Sequence, residues 1–150
     1  MQKFDILKMT LSDLNSISEN LQNSFEISWS YSIFKDELLN VFSKYIVAKK
    51  DEIILGFAGI WQVYEESHIM NIAVHNDFRK KGIGSTLLKE LIEMAKTSKS
   101  EILTLEVKKS NIPAQKLYSK FGFETVGVRK NYYISGNKVE NGVIMTLHLK

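Results

Sequence analysis

Three cations stand directly before a glycine pair at Arg79-Lys80-Lys81-Gly82-Ile83-Gly84, and Ile83, Leu87, Leu88, Leu91, Ile92 and Ala95 then recur at helical spacing. A basic loop that runs into a helix suits an anion. Glycines let the backbone approach, the first N–H groups of a helix have no partner within it, and the helix dipole favours negative charge there. A pyrophosphate fits that description. Two better-known phosphate loops are excluded: G-x-x-x-x-G-K-[ST] is absent, and Leu87 occupies the third-glycine position of a G-x-G-x-x-G fingerprint. The same residues also describe a turning loop with a solvated basic tip.

Two further residues are chemically suggestive. Ile102 to Lys108 reads as a strand, and its alternation sends Glu106 to the face opposite Leu103, Leu105 and Val107. There a carboxylate can take a proton directly or through a water, or can be simply a solvated strand residue. Tyr118 falls on an apolar helical face with Ala114, Leu117 and Phe121. A tyrosine so placed is ordinarily core, with its hydroxyl finding a partner. Asn111 just before that helix is also a good turn residue. His68, His75 and His148 lack metal-ligand spacing and call for no special role, so no metal is expected. The chain has no cysteine, which excludes disulfides, thiolate metal sites and a cysteine nucleophile.

The elements that position these residues follow from pattern. Phe4 to Lys8 alternates as a short strand, and Thr10 with Asp13 resembles a cap for a helix from Leu11 that places Leu14, Ile17 and Leu21 on one face. A second helix is expected from Ser30 or Tyr31 towards Asn40, with Phe34, Leu38 and Val41 at helical spacing. Tyr45 to Ala48 and Ile53 to Tyr64 read as strands around the turn Lys49-Lys50-Asp51-Glu52, and His68 to Val74 follows, giving an antiparallel meander. Pro113 suits a first helical turn and Gly122 a helix end. Phe123 to Tyr133 and Val139 to Leu149 form a closing hairpin about Ser135-Gly136-Asn137. The resulting order, β-α-α-β-β-β-α-β-α-β-β, indicates an α+β domain with one mixed sheet.

At 150 residues the chain fits one domain, 1–150, without repeat, linker or low-complexity segment. With 44% apolar and 25% charged residues it has the means to build a core without covalent staples. A net charge of +3 is too mild for nucleic-acid binding, and Arg79-Lys80-Lys81 is a small anion site, not a duplex track. The N-terminus lacks a secretory pattern, and the longest apolar run, Ile53 to Trp61, is too short for a membrane helix, so a cytoplasmic protein with no membrane contact is expected.

Taken in order, Asn71-Ile72-Ala73-Val74, Arg79-x-x-Gly82-x-Gly84, Leu105-Glu106-Val107, Asn111 and Leu117-Tyr118-Ser119-Lys120-Phe121-Gly122-Phe123 closely resemble the GCN5-related N-acetyltransferase family. The resemblance implies a mixed, mostly antiparallel central sheet flanked by helices, with acetyl-coenzyme A as co-substrate. It implies that the backbone of Ile72, Ala73 and Val74 pairs with the pantetheine arm. Arg79, Lys80, Lys81, Gly82, Ile83, Gly84 and Ser85 would hold the pyrophosphate, and Asn111 would touch the cofactor. Glu106 would be the general base and Tyr118 the acid that protonates the departing thiolate, with ordinary thiol and phenol pKa values of about 8.5 and 10 close enough for that transfer.

Trp29-Ser30 with Phe34, Ser110-Asn111 and Arg129-Lys130-Asn131-Tyr132-Tyr133 add a narrower resemblance, to the branch that acetylates the N-terminal alanine of small-subunit ribosomal protein S18. Trp29, Tyr132 and Tyr133 would then line the acceptor pocket, though core packing or strand pairing accounts for them equally. Departures from that branch are Ser28 where a proline commonly stands, His75-Asn76-Asp77 in place of an Asp-Pro-Asp-like turn, and Ser85 where a basic residue is common. Without cysteine, direct attack of the amine on the thioester is the simplest route. An α-amine is roughly a tenth neutral at pH 7 and a lysine only about four parts in ten thousand, so an N-terminal acceptor needs modest base assistance. Open alternatives are a small amine or lysine acceptor, and a non-catalytic coenzyme A sensor.

Overall fold

Thr10 and Asp13 close a reciprocal cap: the Thr10 hydroxyl accepts the Asp13 N–H at 3.2 Å and the Asp13 carboxylate accepts the Thr10 N–H at 2.9 Å. In the computed structural model, which describes residues 3–25 and 30–149, this cap starts helix α1 (Leu11–Ser24) directly after strand β1 (Asp5–Lys8). Helix α2 (Tyr31–Leu39) follows, capped by the Ser30 hydroxyl, and then β2 (Ser43–Lys50), β3 (Ile53–Val63) and β4 (Glu66–Val74). A short 3₁₀ turn at Asn76–Phe78 precedes α3 (Ile83–Thr97). The chain finishes with β5 (Ile102–Lys108), α4 (Ile112–Lys120), β6 (Glu124–Ser135) and β7 (Lys138–His148). One seven-stranded sheet runs β1-β2-β3-β4-β5-β7-β6, antiparallel except between β4 and β5. The expected α+β class and mixed sheet are observed.

Two local expectations are corrected. Val41 lies beyond the end of α2 and is exposed, because Asn40 leaves the helix in an extended conformation. The β2–β3 turn is shorter than expected: Lys49 and Lys50 still pair with β3, and Asp51, with φ of 57°, makes the reversal with Glu52.

The sheet separates two cores. On one face Leu14, Ile17 and Phe34 of the first two helices pack on Tyr45, Val47 and Phe57. On the other, Ile83, Leu87, Leu88, Leu91, Ile92 and Ala95 of α3, which packs on β2, β3 and β4, share one core with Leu55, Ala58 and Ile60 of β3 and Leu103, Leu105 and Val107 of β5. Burying each leucine or isoleucine stabilises by about 1.5–3 kcal/mol, so α3 is firmly seated. Gly56 lets it lie close: a Cβ there would come within 2.8 Å of the Ala73 carbonyl and 3.2 Å of Ile83 and Leu87. No helix among the described residues is long and apolar enough to cross a membrane.

Candidate active site

Strands β4 and β5 are joined by only three pairs, Glu66↔Ile102, Ser67↔Leu103 and His68↔Thr104. Just past His68 the β3–β4 register shifts, leaving Met70 as an extra residue in β4. Such a bulge bends its strand and ends local pairing. From there β4 follows β3 to Val74 while β5 follows β7 to Lys108, and a wedge opens in the middle of the sheet. Beyond His68 the β5-facing backbone of β4, including Ile72, Ala73 and Val74, therefore has no strand partner among the described residues. The side chains of Ile72 and Val74 pack against the α3 core, so what they offer the wedge is backbone.

The basic loop lies where β4 ends. Arg79 turns back towards it, its Nε 3.4 Å from the Val74 carbonyl, and Lys81 Nζ stands 5.7 Å over the Phe78 ring. Lys80 and Gly82 both have left-handed backbones, with φ of 63° and 84°. Gly82 is the N-cap of α3 and supplies no side-chain acceptor. The N–H groups of Ile83, Gly84 and Ser85 open the helix without a side-chain cap. Arg79, Lys80, Lys81 and Gly82 are exposed, whereas the Ile83 side chain belongs to the core and only its backbone serves the loop.

Glu106 projects to the sheet face opposite Leu105 and Val107, as its alternation requires. It is not a freely solvated carboxylate. Its side chain is 11% exposed; Oε2 is 2.9 Å from His68 Nε2 and Oε1 is 3.0 Å from Arg129 Nε. The far ring nitrogen of His68, Nδ1, is hydrogen-bonded to the Thr104 hydroxyl. His68 thus touches the principal carboxylate of the site, against the expectation that it has no special role. Alternation could have put His68, Thr104 and Glu106 on one face. The β4–β5 register that brings them together is a long-range property. Arg129 reaches Glu106 from β6, within a stretch where the β6–β7 register slips between Arg129 and Tyr133, so periodicity gave no route to it.

Tyr118 stands on the other side of the wedge. It packs with the α3-side core and against Phe123, ring centroids 5.8 Å apart. Burial pushes its phenol up to about 12, so the hydroxyl is protonated at neutral pH. Tyr133 is partly buried, with Lys108 Nζ 5.7 Å over its ring; burial, and next the charge of Glu106, raise its phenol above the ordinary value. Tyr132 is exposed, edge-on to Tyr133 at 5.0 Å and beneath the Arg129 guanidinium at 5.5 Å. Arg129 thus stands between Glu106 and Tyr132, and Tyr133 adjoins Tyr132. Asn111 is the N-cap of α4, its Oδ1 accepting the Ala114 N–H at 3.2 Å. Trp29 lies outside the described residues.

The chain that carries this strand wedge and uncapped helix start matches known proteins along nearly its whole length. Residues 11–123 match the model of the acetyltransferase (GNAT) family. The chain belongs to that family. A [ribosomal protein bS18]-alanine N-acetyltransferase of Salmonella typhimurium is 34% identical over 98% of this chain and 97% of its own length. A Bacillus subtilis protein, provisionally named for the same activity, is 38% identical over 95% of this chain and 94% of its own. The crystal structure of the ribosomal-protein-S18-alanine N-acetyltransferase from Escherichia coli superposes with a TM-score of 0.89 at 28% identity, covering 98% of this chain and 94% of that one. The GNAT relatives match along nearly the whole chain, β6–β7 hairpin included.

Proposed function

We propose that the chain moves the acetyl group of acetyl-coenzyme A onto the α-amine of a protein N-terminus, with the N-terminal alanine of ribosomal protein S18 as acceptor. The observation that carries this reading is the wedge between β4 and β5, with Glu106 on one face of the sheet and Tyr118 on the other. A thioester threaded through the gap meets an amine from the Glu106 side and leaves its sulfur towards Tyr118.

In this reading the β5-facing backbone of Ile72, Ala73 and Val74 bonds the pantetheine arm. The first turn of α3, with Arg79, Lys80, Lys81, Gly82, Gly84 and Ser85, holds the pyrophosphate, and Asn111 contacts the cofactor from the start of α4. Glu106 takes the proton as the amine nitrogen forms its bond to the carbonyl carbon. A backbone N–H near Val74 donates to the oxyanion. The C–S bond then breaks. Burial raises the Tyr118 phenol to about 12, and the same desolvation disfavours a thiolate leaving beside it, so the phenol keeps its proton until the sulfur departs. Tyr118 donates its proton to the departing sulfur. Tyr132 and Tyr133 flank the acceptor, with Trp29 from the connection before α2. A ribosomal acceptor places the enzyme in the cytoplasm.

The test compares coenzyme A release with an alanine-starting peptide of S18 sequence and with the same peptide blocked at its N-terminus but carrying lysine. Release with the free α-amine alone supports the reading. Equal release with the blocked peptide points to a lysine acceptor, and cofactor binding without turnover on any amine points to a sensor.

A further inference from the structure

Glu106 lies in the sheet two residues beyond the last rung of the β4–β5 ladder, and that rung is His68↔Thr104. Both members of the rung face the same side as Glu106. His68 leans across the opening to put Nε2 2.9 Å from Glu106 Oε2, while its Nδ1 is hydrogen-bonded to Thr104. An ionised carboxylate only accepts, so Nε2 carries the hydrogen; a neutral ring then presents Nδ1 as an acceptor for the Thr104 hydroxyl. The carboxylate thereby sets the tautomer, and the Thr104 hydroxyl, free to turn and donate, satisfies Nδ1 and holds the ring in place. Arg129, the other donor to this carboxylate, has a side chain 54% exposed against 30% for His68, which makes the imidazole the more sheltered hold.

We propose that His68, fixed by Thr104, is a positioning residue for Glu106 in the reaction assigned above, and the inference rests on that assignment. A glutamate on a strand can swing about several bonds, and a base misplaced by an ångström loses much of its rate. Each carboxylate oxygen has two lone-pair sites, so Oε2 can accept from His68 and still present a lone pair to the cleft. The proton taken from the amine rests on Glu106 during the transfer and leaves to solvent before the next turnover. It does not pass to His68, whose Nε2 already holds one. The apex of the wedge and the aim of the base are in this way set by one pair of residues.

The experiment measures kcat, and KM for acetyl-coenzyme A, for His68→Leu, His68→Gln and Thr104→Val on the alanine-starting peptide, with thermal melts of each and Glu106→Gln as control. Leucine removes the donor; glutamine keeps an N–H able to reach Oε2. The expected result is a kcat about tenfold lower for His68→Leu with KM within twofold of native, and recovery to within about threefold of native for His68→Gln. A kcat for His68→Leu within twofold of native overturns the proposal, and so does a glutamine variant as slow as the leucine one. Should His68→Leu fail to fold, Thr104→Val decides: kcat lowered about threefold at constant KM supports the role, and unchanged kcat refutes it. A Glu106→Gln enzyme as fast as native would instead overturn the assignment of Glu106 as base.

Discussion

Arg129 Nε donates to Glu106 Oε1 at 3.0 Å while its guanidinium lies 5.5 Å above the Tyr132 ring, so a side chain of β6 ties the carboxylate of β5 to an aromatic of the closing hairpin. The arginine is more than half exposed, and exposed ion pairs contribute about 0–1 kcal/mol to stability. Its value is in geometry. Arg129→Ala is expected to lower kcat/KM for the acceptor peptide about tenfold while shifting the melting temperature by only a few degrees, measured by steady-state kinetics beside a thermal melt.

Tyr118 is expected to stay protonated across the working range. A phenol raised to about 12 keeps its proton until the pH passes that value, two units beyond the ordinary phenol, so its ionisation adds no basic limb to a kcat profile taken between pH 6 and 10. A fall in rate centred near pH 10 that disappears in Tyr118→Phe would contradict this. The same substitution is expected to cut kcat at least tenfold at pH 7.5.

Gly82 combines a φ of 84° with an open position at the start of α3, where a Cβ would meet no atom of the described residues within 4 Å. Gly82→Ala strains the left-handed backbone by about 1–2 kcal/mol and puts a methyl group where the anion is to approach. KM for acetyl-coenzyme A should rise about tenfold with kcat nearly constant, and isothermal titration with coenzyme A should show the same loss.

Asp13 links the α1 cap to the sheet through Lys49, whose Nζ stands 2.7 Å from its carboxylate. Burial raises the Asp13 pKa, but hydrogen bonds from Lys49 and Thr10 outweigh it and hold the carboxyl below its ordinary value. A depressed carboxyl contributes stability that is present above the unfolded pKa, near 4, and is lost as the pH falls through the folded value. Asp13→Asn should therefore cost about 1 kcal/mol at pH 7, with the difference from native shrinking below about pH 4 in denaturant titrations.

Local patterns made most of the fold legible. The capping box at Thr10 and Asp13, the apolar stripe of α3, the strand around Glu106 and the Gly122 helix end are signals carried within a few residues, and each element formed where its pattern lay. The left-handed Gly122, with φ of 100°, is one such case. Val41 departed because helical spacing continues past the point where Asn40 turns the backbone out. In the cleft the loop, Glu106 and Tyr118 were readable as candidates. The three-rung β4–β5 ladder was not, and with it went His68 and Thr104, whose meeting with Glu106 depends on pairing across more than thirty residues. Arg129 was hidden by the slipped register of β6.

The central claim is tested most directly by coenzyme A release from acetyl-coenzyme A with a short alanine-starting S18 peptide, run on the native chain, Glu106→Gln and Tyr118→Phe, with mass spectrometry locating the acetyl group. Acetylation of the α-amine by the native protein, reduced at least tenfold by each substitution while coenzyme A still binds, is the expected result. Native-like turnover in both variants, or binding of coenzyme A with no acetylation of the peptide by the native chain, would contradict it.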